Sequence, residues 1–364
     1  MIKKSQQTVV LDVMGADHGP EAIIQGGLAA ARNLGESLHL TLVGQRDQID
    51  PILAGIVDAP PNLSVEHAAS EVPMNVPATD GVRVRDSSMA VGLGLVRKGG
   101  ADAFVSSGNT GAVMASSLLT LGRIEGVLRP AIVGAFPTSE GRPCVVLDVG
   151  ANVDCKPQHL SQFAVMGSVY SQVLFDTEKP RVGLLSIGEE RSKGNDLIFR
   201  ARKLLRESRI DFVGNIEGRD ILTGMVDVAV TDGFTGNIVL KFGESVLPFL
   251  VKAVRHQVST NIFSRIGVTL LLPFLRRMKK MFDYAQTGGA PLLGVNGVVI
   301  ICHGSSSLEA ITNAVQVAHD MAKKRITECI HRELTTNHFG KKNESSVESQ
   351  DLRDGVVCPS GSDD

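Results

Sequence analysis

Ser106-Ser107-Gly108-Asn109-Thr110-Gly111 joins an apolar strand (Ala103, Phe104, Val105) to a helix of small residues running from Ala112 to Leu119. The first turn of a helix offers free backbone N–H groups and the positive end of its dipole, which suits an anion. Gly108 and Gly111 allow close approach of the backbone to a ligand. Taken alone, the segment is equally an ordinary turn between strand and helix. Three more polar turns follow apolar runs: Asp148-Val149-Gly150-Ala151-Asn152-Val153-Asp154 after Val145 to Leu147, Thr231-Asp232-Gly233-Phe234-Thr235-Gly236-Asn237 after Val226 to Val230, and Cys302-His303-Gly304-Ser305-Ser306 after Val298 to Ile301. At the carboxyl ends of strands in an open α/β sheet, such turns are expected to line one crevice. Four of one character point to a shared site for a small anion or phosphate.

The elements that would position these turns alternate along the chain. Strands are expected at Thr8–Val13, Leu38–Val43, Leu63–Val65, Val182–Leu185 and Phe212–Val213. Helices are expected at Pro20–Leu34, Ser87–Lys98 (capped by Asp86), His159–Phe175 and Asn195–Glu207, with one long final helix from Ser305 to about Glu333. Val72–Gly81, with two prolines, reads as a loop. Buried, β-branched strands alternating with helices predict a mostly parallel α/β/α sandwich. One domain spans residues 1–334, and 335–364, polar and without period, reads as a disordered tail. Gly243 to Tyr284 reads as a protruding helical hairpin inserted at about 243–284. Its first arm is expected from Glu244 to Val258. Its second carries Leu270, Leu271, Leu272, Phe274 and Leu275 beside Arg276, Arg277, Lys279 and Lys280. That apolar run abutting basic residues suits a helix dipping into an anionic membrane surface; a hairpin packed in a dimer interface with a solvated basic end is the reading favoured, since apolar helices are usually core.

The chain has 364 residues, 43% of them hydrophobic, and a net charge of −2. It is long enough for a large core, and its near-neutral balance gives no footprint for nucleic acid. Without Trp and with only two Tyr, platforms for base stacking are scarce. Five irregularly spaced cysteines read as reduced thiols in a cytoplasmic protein.

Several phrases in order carry a resemblance. They are Leu11-Asp12-Val13-Met14-Gly15-Ala16-Asp17-His18, Ser107-Gly108-Asn109-Thr110-Gly111, Asp148-Val149-Gly150-Ala151-Asn152-Val153-Asp154, Gly188-Glu189-Glu190-Arg191-Ser192-Lys193-Gly194-Asn195, Gly214-Asn215-Ile216-Glu217-Gly218-Arg219-Asp220, Asp232-Gly233-Phe234-Thr235-Gly236-Asn237, Gly288-Gly289-Ala290-Pro291 and His303-Gly304-Ser305-Ser306. Over about residues 8–333 the chain resembles the bacterial phosphate acyltransferases. Ala16 stands where that family usually has a second glycine, and the tail after Leu334 has no counterpart. The resemblance implies a fold of the phosphotransacetylase and isopropylmalate-dehydrogenase type, in a homodimer with peripheral membrane association on the cytoplasmic face. It implies transfer of a long-chain acyl group from acyl carrier protein to inorganic phosphate. The acyl phosphate would supply a membrane glycerol-3-phosphate acyltransferase in phospholipid synthesis.

Phosphate is a competent nucleophile near neutral pH, so such a reaction needs positioning and oxyanion stabilisation more than a base. Neutral donors and a cation fit: Lys193, His303, Asn152 and Asn237 in catalytic roles, with Gly15, His18, Gly108, Asn109, Thr110, Gly111, Asn195, Gly233 and Ser305 around the phosphate. Backbone amides of Gly108–Gly111 would cradle the anion, Lys193 would contact it, and His303 could protonate the departing thiolate or hydrogen-bond the oxyanion. Asp12, Asp17, Asp154 and Asp232 would orient Lys193, His18 or His303, or bind a metal. Thioester phosphorolysis needs no metal or cofactor, and none is expected. Arg83, Arg85 and the basic run from Arg276 could meet an acidic carrier. A phosphotransacetylase using coenzyme A, a metal- and nicotinamide-dependent dehydrogenase, and a non-catalytic membrane scaffold are the competing readings.

Overall fold

The computed structural model describes residues 6–17, 19–258 and 288–337. His18, the second arm of the expected hairpin with its Leu270–Leu275 run and basic end, and all but the first three residues of the expected tail lie outside the described residues.

Eleven strands form one sheet among the described residues: β1 Gln7–Asp12, β2 Leu38–Gly44, β3 Leu63–His67, β4 Ala103–Ser106, β5 Ala131–Phe136, β6 Cys144–Leu147, β7 Arg181–Leu185, β8 Asp211–Ile216, β9 Val228–Val230, β10 Ala290–Leu293 and β11 Val298–Ile301. Their order is β3-β2-β1-β4-β11-β10-β5-β6-β9-β7-β8. The helices are α1 Pro20–Leu34, α2 Arg46–Ala54, α3 Ala78–Gly81, α4 Ser88–Arg97, α5 Thr110–Leu121, α6 Pro157–Phe175, α7 Asp196–Arg206, α8 Asp220–Thr223, α9 Gly233–Val258, α10 Leu308–Lys323 and α11 Ile326–Thr336.

Strand side chains alternate between two cores, one on each face of the sheet. Val9 and Leu11 of β1 enter the core shared with α1, α6, α7, α10 and α11, while Val10 enters the one shared with α4 and α5. This is the three-layered α/β sandwich that the alternation of elements predicts. Gly26 brings α1 hard against α10: a Cβ there would lie 2.7 Å from the Cβ of Ile311. That crossing fixes the start of α10 against the middle of α1.

Strand direction divides the sheet. β1, β2, β3, β4 and β11 run parallel to one another. β6, β7, β8 and β9 are also mutually parallel. Between the blocks, β10 pairs antiparallel with β11 and with β5, and β5 pairs antiparallel with β6. The second block therefore runs opposite to the first. The four polar turns leave the hydrogen-bonded sheet at two edges, which replaces the single row that a simple parallel sheet would give.

Several boundaries differ from expectation for local reasons. Ser87, not Asp86, caps α4, accepting from Ala90 N at 3.3 Å, while Asp86 accepts from Ser70 Oγ. The final helix is two helices. Arg325 takes φ 52, in the left-handed region, and the chain turns so that Ile330 and Leu334 of α11 join the core against α6. α11 runs through Thr336, past the expected domain end at 334. The loop 72–81 ends in the short α3. α9 starts at Gly233, well before Glu244, so the Asp232 turn is itself a helix cap. Cys144, Cys155 and Cys302 are free thiols, but Cys329 is disulfide-bonded, which overturns a fully reduced reading. No helix among the described residues is long and apolar enough to cross a membrane.

Candidate active site

The first group of turns is built on three adjacent strands. Asp12 of β1 and Ile301 of β11 both stand level with Ser106 of β4, so the three chains leave the sheet together. Each leads to a helix: α1, α5 or α10. Three helix N-termini thus gather at one edge, with their dipoles favouring negative charge there.

The turns are laced to one another. Asp17 N donates to the Gly304 carbonyl at 2.9 Å. Gly15, at φ 77, lies so near the second turn that a Cβ would sit 3.4 Å from the Cα of Gly108. Buried Asp12 accepts from Met14 N at 3.1 Å and from Ser106 Oγ at 2.8 Å. Ser106 Oγ in turn accepts from Gly108 N at 3.1 Å. The Gly108 amide is therefore engaged by the protein, which removes it from the expected cradle. Ala112 N is engaged as well, by the capping Oδ1 of Asn109. Asn109, Thr110 and Gly111 carry the amides at the open start of α5.

Asn109 is a clamp. Its amide donates to the carbonyls of Met74 and Val76, tying the 72–77 loop over the turn. With its oxygen capping α5, this side chain has no donor left for phosphate. Two hydroxyls in these turns, Ser107 Oγ and Ser306 Oγ, are buried without a hydrogen-bond partner. Buried polar atoms are normally paired, so these two hydroxyls stand out as unpaired donors at the helix starts. His303 is exposed, and its Nδ1 lies 3.3 Å from Ser305 Oγ. If Ser305 donates to Nδ1, the other ring nitrogen carries the proton and faces outward.

Burial pushes the Asp12 carboxyl up to about 6, against the opposing hydrogen bonds from Ser88, Ser106 and Met14. Because the folded value exceeds the ordinary 3.8, ionising Asp12 costs the fold. The cost is absent below the unfolded value, grows as pH rises from 3.8 to about 6, and is constant above. It corresponds to about 3 kcal/mol. Asp12→Asn is therefore expected to gain that much stability relative to wild type between about pH 3.5 and pH 7. Urea midpoints of both proteins across this window check it; parallel curves would show that Asp12 does not ionise against burial.

The second group sits on β6, β9 and β7. Its centre is Asp148, which sequence reasoning did not single out as a functional residue. This fully buried carboxylate accepts five hydrogen bonds: from Ile132 N, Gly150 N and Ala151 N at Oδ1, and from the amide N and Nδ2 of Asn152 at Oδ2. Asn152 also donates to the Pro130 carbonyl at 2.7 Å. Its amide is thus committed to shaping the turn, contrary to the donor role expected of it. Gly233 and Gly236 are needed because Asp148 lies against them; a Cβ on Gly233 would come 2.7 Å from Asp148 Oδ2. Asn237 lies beside Gly150, its Oδ1 3.6 Å from where a Cβ on that glycine would be.

Asp232 and Asn195 also serve as caps. Asp232 accepts from Thr235 N and Oγ1, and Asn195 accepts from Ile198 N. Asp154 is exposed. Lys193 is exposed in the turn after β7, and Asn215 holds that turn by donating to the carbonyls of Glu190 and Lys193. No carboxylate pairs with the Lys193 ammonium among the described residues, whereas Arg219 nearby is held by Glu189 and Glu217. No three His, Cys, Asp or Glu side chains gather as a metal site among the described residues.

A family profile described as "Fatty acid synthesis protein" matches residues 7–329. Phosphate acyltransferase of Geobacter sulfurreducens is 43% identical over 329 residues, covering 90% of this chain and 94% of the relative. Phosphate acyltransferase of Myxococcus xanthus is 47% identical over 345 residues, covering 92% and 97%. The chain belongs to the phosphate acyltransferase family. It is an acyl-transfer enzyme by that membership. Among solved structures it is similar to a phosphotransacetylase from Streptococcus pyogenes (TM-score 0.59, 18% identity, 88% of this chain and 95% of that one). It is also similar to a branched-chain phosphotransacylase from Enterococcus faecalis (TM-score 0.56, 13% identity, 87% and 99%). At such identities the likeness concerns the fold, and it agrees with the fold type that the sequence resemblance implies.

Proposed function

We propose that this enzyme transfers a long-chain acyl group from acyl carrier protein to inorganic phosphate. The observation that carries the reading is the cluster over β1, β4 and β11. There three helices begin where three strands end level, and the buried hydroxyls of Ser107 and Ser306 have no hydrogen-bond partner. A phosphate oxygen attacks the thioester carbonyl carbon, and the resulting oxyanion is held by donors already in place. Collapse breaks the C–S bond. The carrier thiolate leaves with a proton from His303, which solvent replaces. Acyl phosphate then passes to a membrane glycerol-3-phosphate acyltransferase.

In this reading the second group is the facing wall. Sheets twist by roughly 20–25° per strand, so the five steps from β4 to β9 rotate the reversed block by roughly 100–125°. The reading requires that rotation to turn its carboxyl ends, with Lys193 and Asn237, toward the first group. The enzyme works as a homodimer in the cytoplasm, peripherally at the membrane. Support comes from α9, whose Phe234, Phe242 and Phe249 are 59%, 71% and 69% exposed and call for a covering surface.

Hydroxylamine trapping of acyl phosphate, from palmitoyl-acyl carrier protein and phosphate without metal or nucleotide, tests the reaction. Lys193→Ala is expected to lower kcat/KM about 100-fold, as the loss of one charged contact to the reacting anion would. Product from acyl-coenzyme A alone would instead favour a phosphotransacetylase. No product from either donor would leave a scaffold.

A further inference from the structure

α7 and the turn before it form a strongly basic segment. Residues 191–209 hold seven Lys or Arg against two Asp or Glu, a net of +5 in a chain whose total is −2. Ile198, Ala201 and Leu205 bury one side of this helix. Arg200, Lys203 and Arg206 recur every three residues on the exposed side. Among the described residues only Arg200 has a carboxylate partner, Asp196 at 3.0 Å, and that pair is open to solvent. Such a pair contributes little to stability. Lys203 and Arg206 lie in the last turn of α7 and complement its dipole, a small contribution that does not account for the whole stripe.

We infer that this face of α7 is the docking surface for the acidic carrier protein that delivers the acyl chain. The inference rests on the function proposed above, since it needs a protein-borne thioester. Two observations favour a protein partner over a lipid surface. First, the stripe offers little to insert into a bilayer: Phe199, its one large exposed apolar side chain, is 37% exposed and lies beneath the Arg202 guanidinium, 5.5 Å from the ring centroid. Second, the stripe is continuous with the candidate site. Arg202 donates to the Arg191 carbonyl, and Asn195, which caps α7, follows the Lys193 turn at the end of β7. A carrier whose carboxylates meet Arg200, Lys203 and Arg206 would present its acylated arm at that turn. Charge complementarity of this sort sets encounter and specificity.

The test is the charge-reversed variant Arg200→Glu/Lys203→Glu/Arg206→Glu, assayed with acyl carrier protein and with a carrier-free acyl-pantetheine thioester. The expected result is a KM for the acylated carrier raised at least about tenfold at low salt, with kcat unchanged and the carrier-free thioester used as well as by wild type. Wild-type KM for the carrier should also rise with added salt, and the variant's should not. An unchanged carrier KM overturns the proposal, as does an equal loss with the carrier-free thioester. Loss of sedimentation with phosphatidylglycerol vesicles, with carrier KM intact, assigns the face to lipid and overturns it too. Wild type that uses only acyl-coenzyme A fails the function reading itself, and this is seen before any variant is made. Should the triple reversal melt early, Lys203→Gln/Arg206→Gln should show the same KM effect at about threefold.

Discussion

Asp148→Ala is expected to cost about 3–5 kcal/mol of stability and to abolish activity in what remains folded. The carboxylate is the common acceptor for three backbone amides of its own turn, the Ile132 amide on β5 and the Asn152 side chain. Deleting it leaves buried donors without partners, and each orphan costs about 1–3 kcal/mol before the turn relaxes. The consequence reaches further because Gly233 and Gly236 pack against the same residue, so the start of α9 loses its seat. Asp148→Asn separates shape from acceptance. It keeps the volume but brings an NH2 group toward N–H donors at one of the two oxygens. It should lose about half as much stability while still slowing turnover. Urea midpoints and kcat for the three proteins check this. An alanine variant of wild-type stability would show that the turn holds without its acceptor.

His303→Gln is expected to lower kcat about 100-fold with less than a threefold change in the KM for phosphate. His303 stands at the end of β11, exposed, with Ser305 beside Nδ1. Its proposed work falls late in the reaction, when the thiolate leaves. An alkyl thiol leaves poorly unless protonated, whereas an aromatic thiol of low pKa needs no help. The deficit of the glutamine variant should therefore shrink to within about tenfold on an acyl thiophenyl ester. A deficit of the same size on both esters would assign His303 to binding or to the oxyanion, not to proton transfer.

What was legible in the chain follows from how far each interaction reaches. The strand–turn–helix units around Asp12, Ser106 and Ile301 are local: apolar run, glycine turn and cap lie within about ten residues, so composition and periodicity reveal them. The same holds for α1, α6 and α7. β5 and β10 escaped, although Ala131-Ile132-Val133 between Pro130 and Pro137 is a short apolar run with breakers on both sides. β10 lies in a stretch of glycines that reads as loop. Asn109 and Asn152, expected as donors at the phosphate site, have their amides engaged by the protein instead. A side-chain amide suits an anion, and the same chemistry suits helix caps and turns. Only the position of the acceptor distinguishes the two. For Asn109 that acceptor is the Met74 carbonyl, 35 residues earlier. The phrases themselves still marked the right turns, because a cap and a clamp are as demanding of sequence as a ligand is.

The sequence by itself determined the layered α/β architecture, the family and the four turns that carry polar chemistry, since each of these depends on short-range patterns or on long phrases in order. Tertiary structure alone decided which turns share an edge. Two antiparallel pairings at β10 and a third between β5 and β6 reverse the sheet, and no local preference of the chain encodes that reversal. It also decided which polar atoms remain free. Ser107 and Ser306 look like any serines in the sequence, and they become donors without partners only where three strands end level and three helices begin. Hydrogen-bond satisfaction is settled atom by atom between segments far apart in the chain, so availability for a ligand is a property of the folded site.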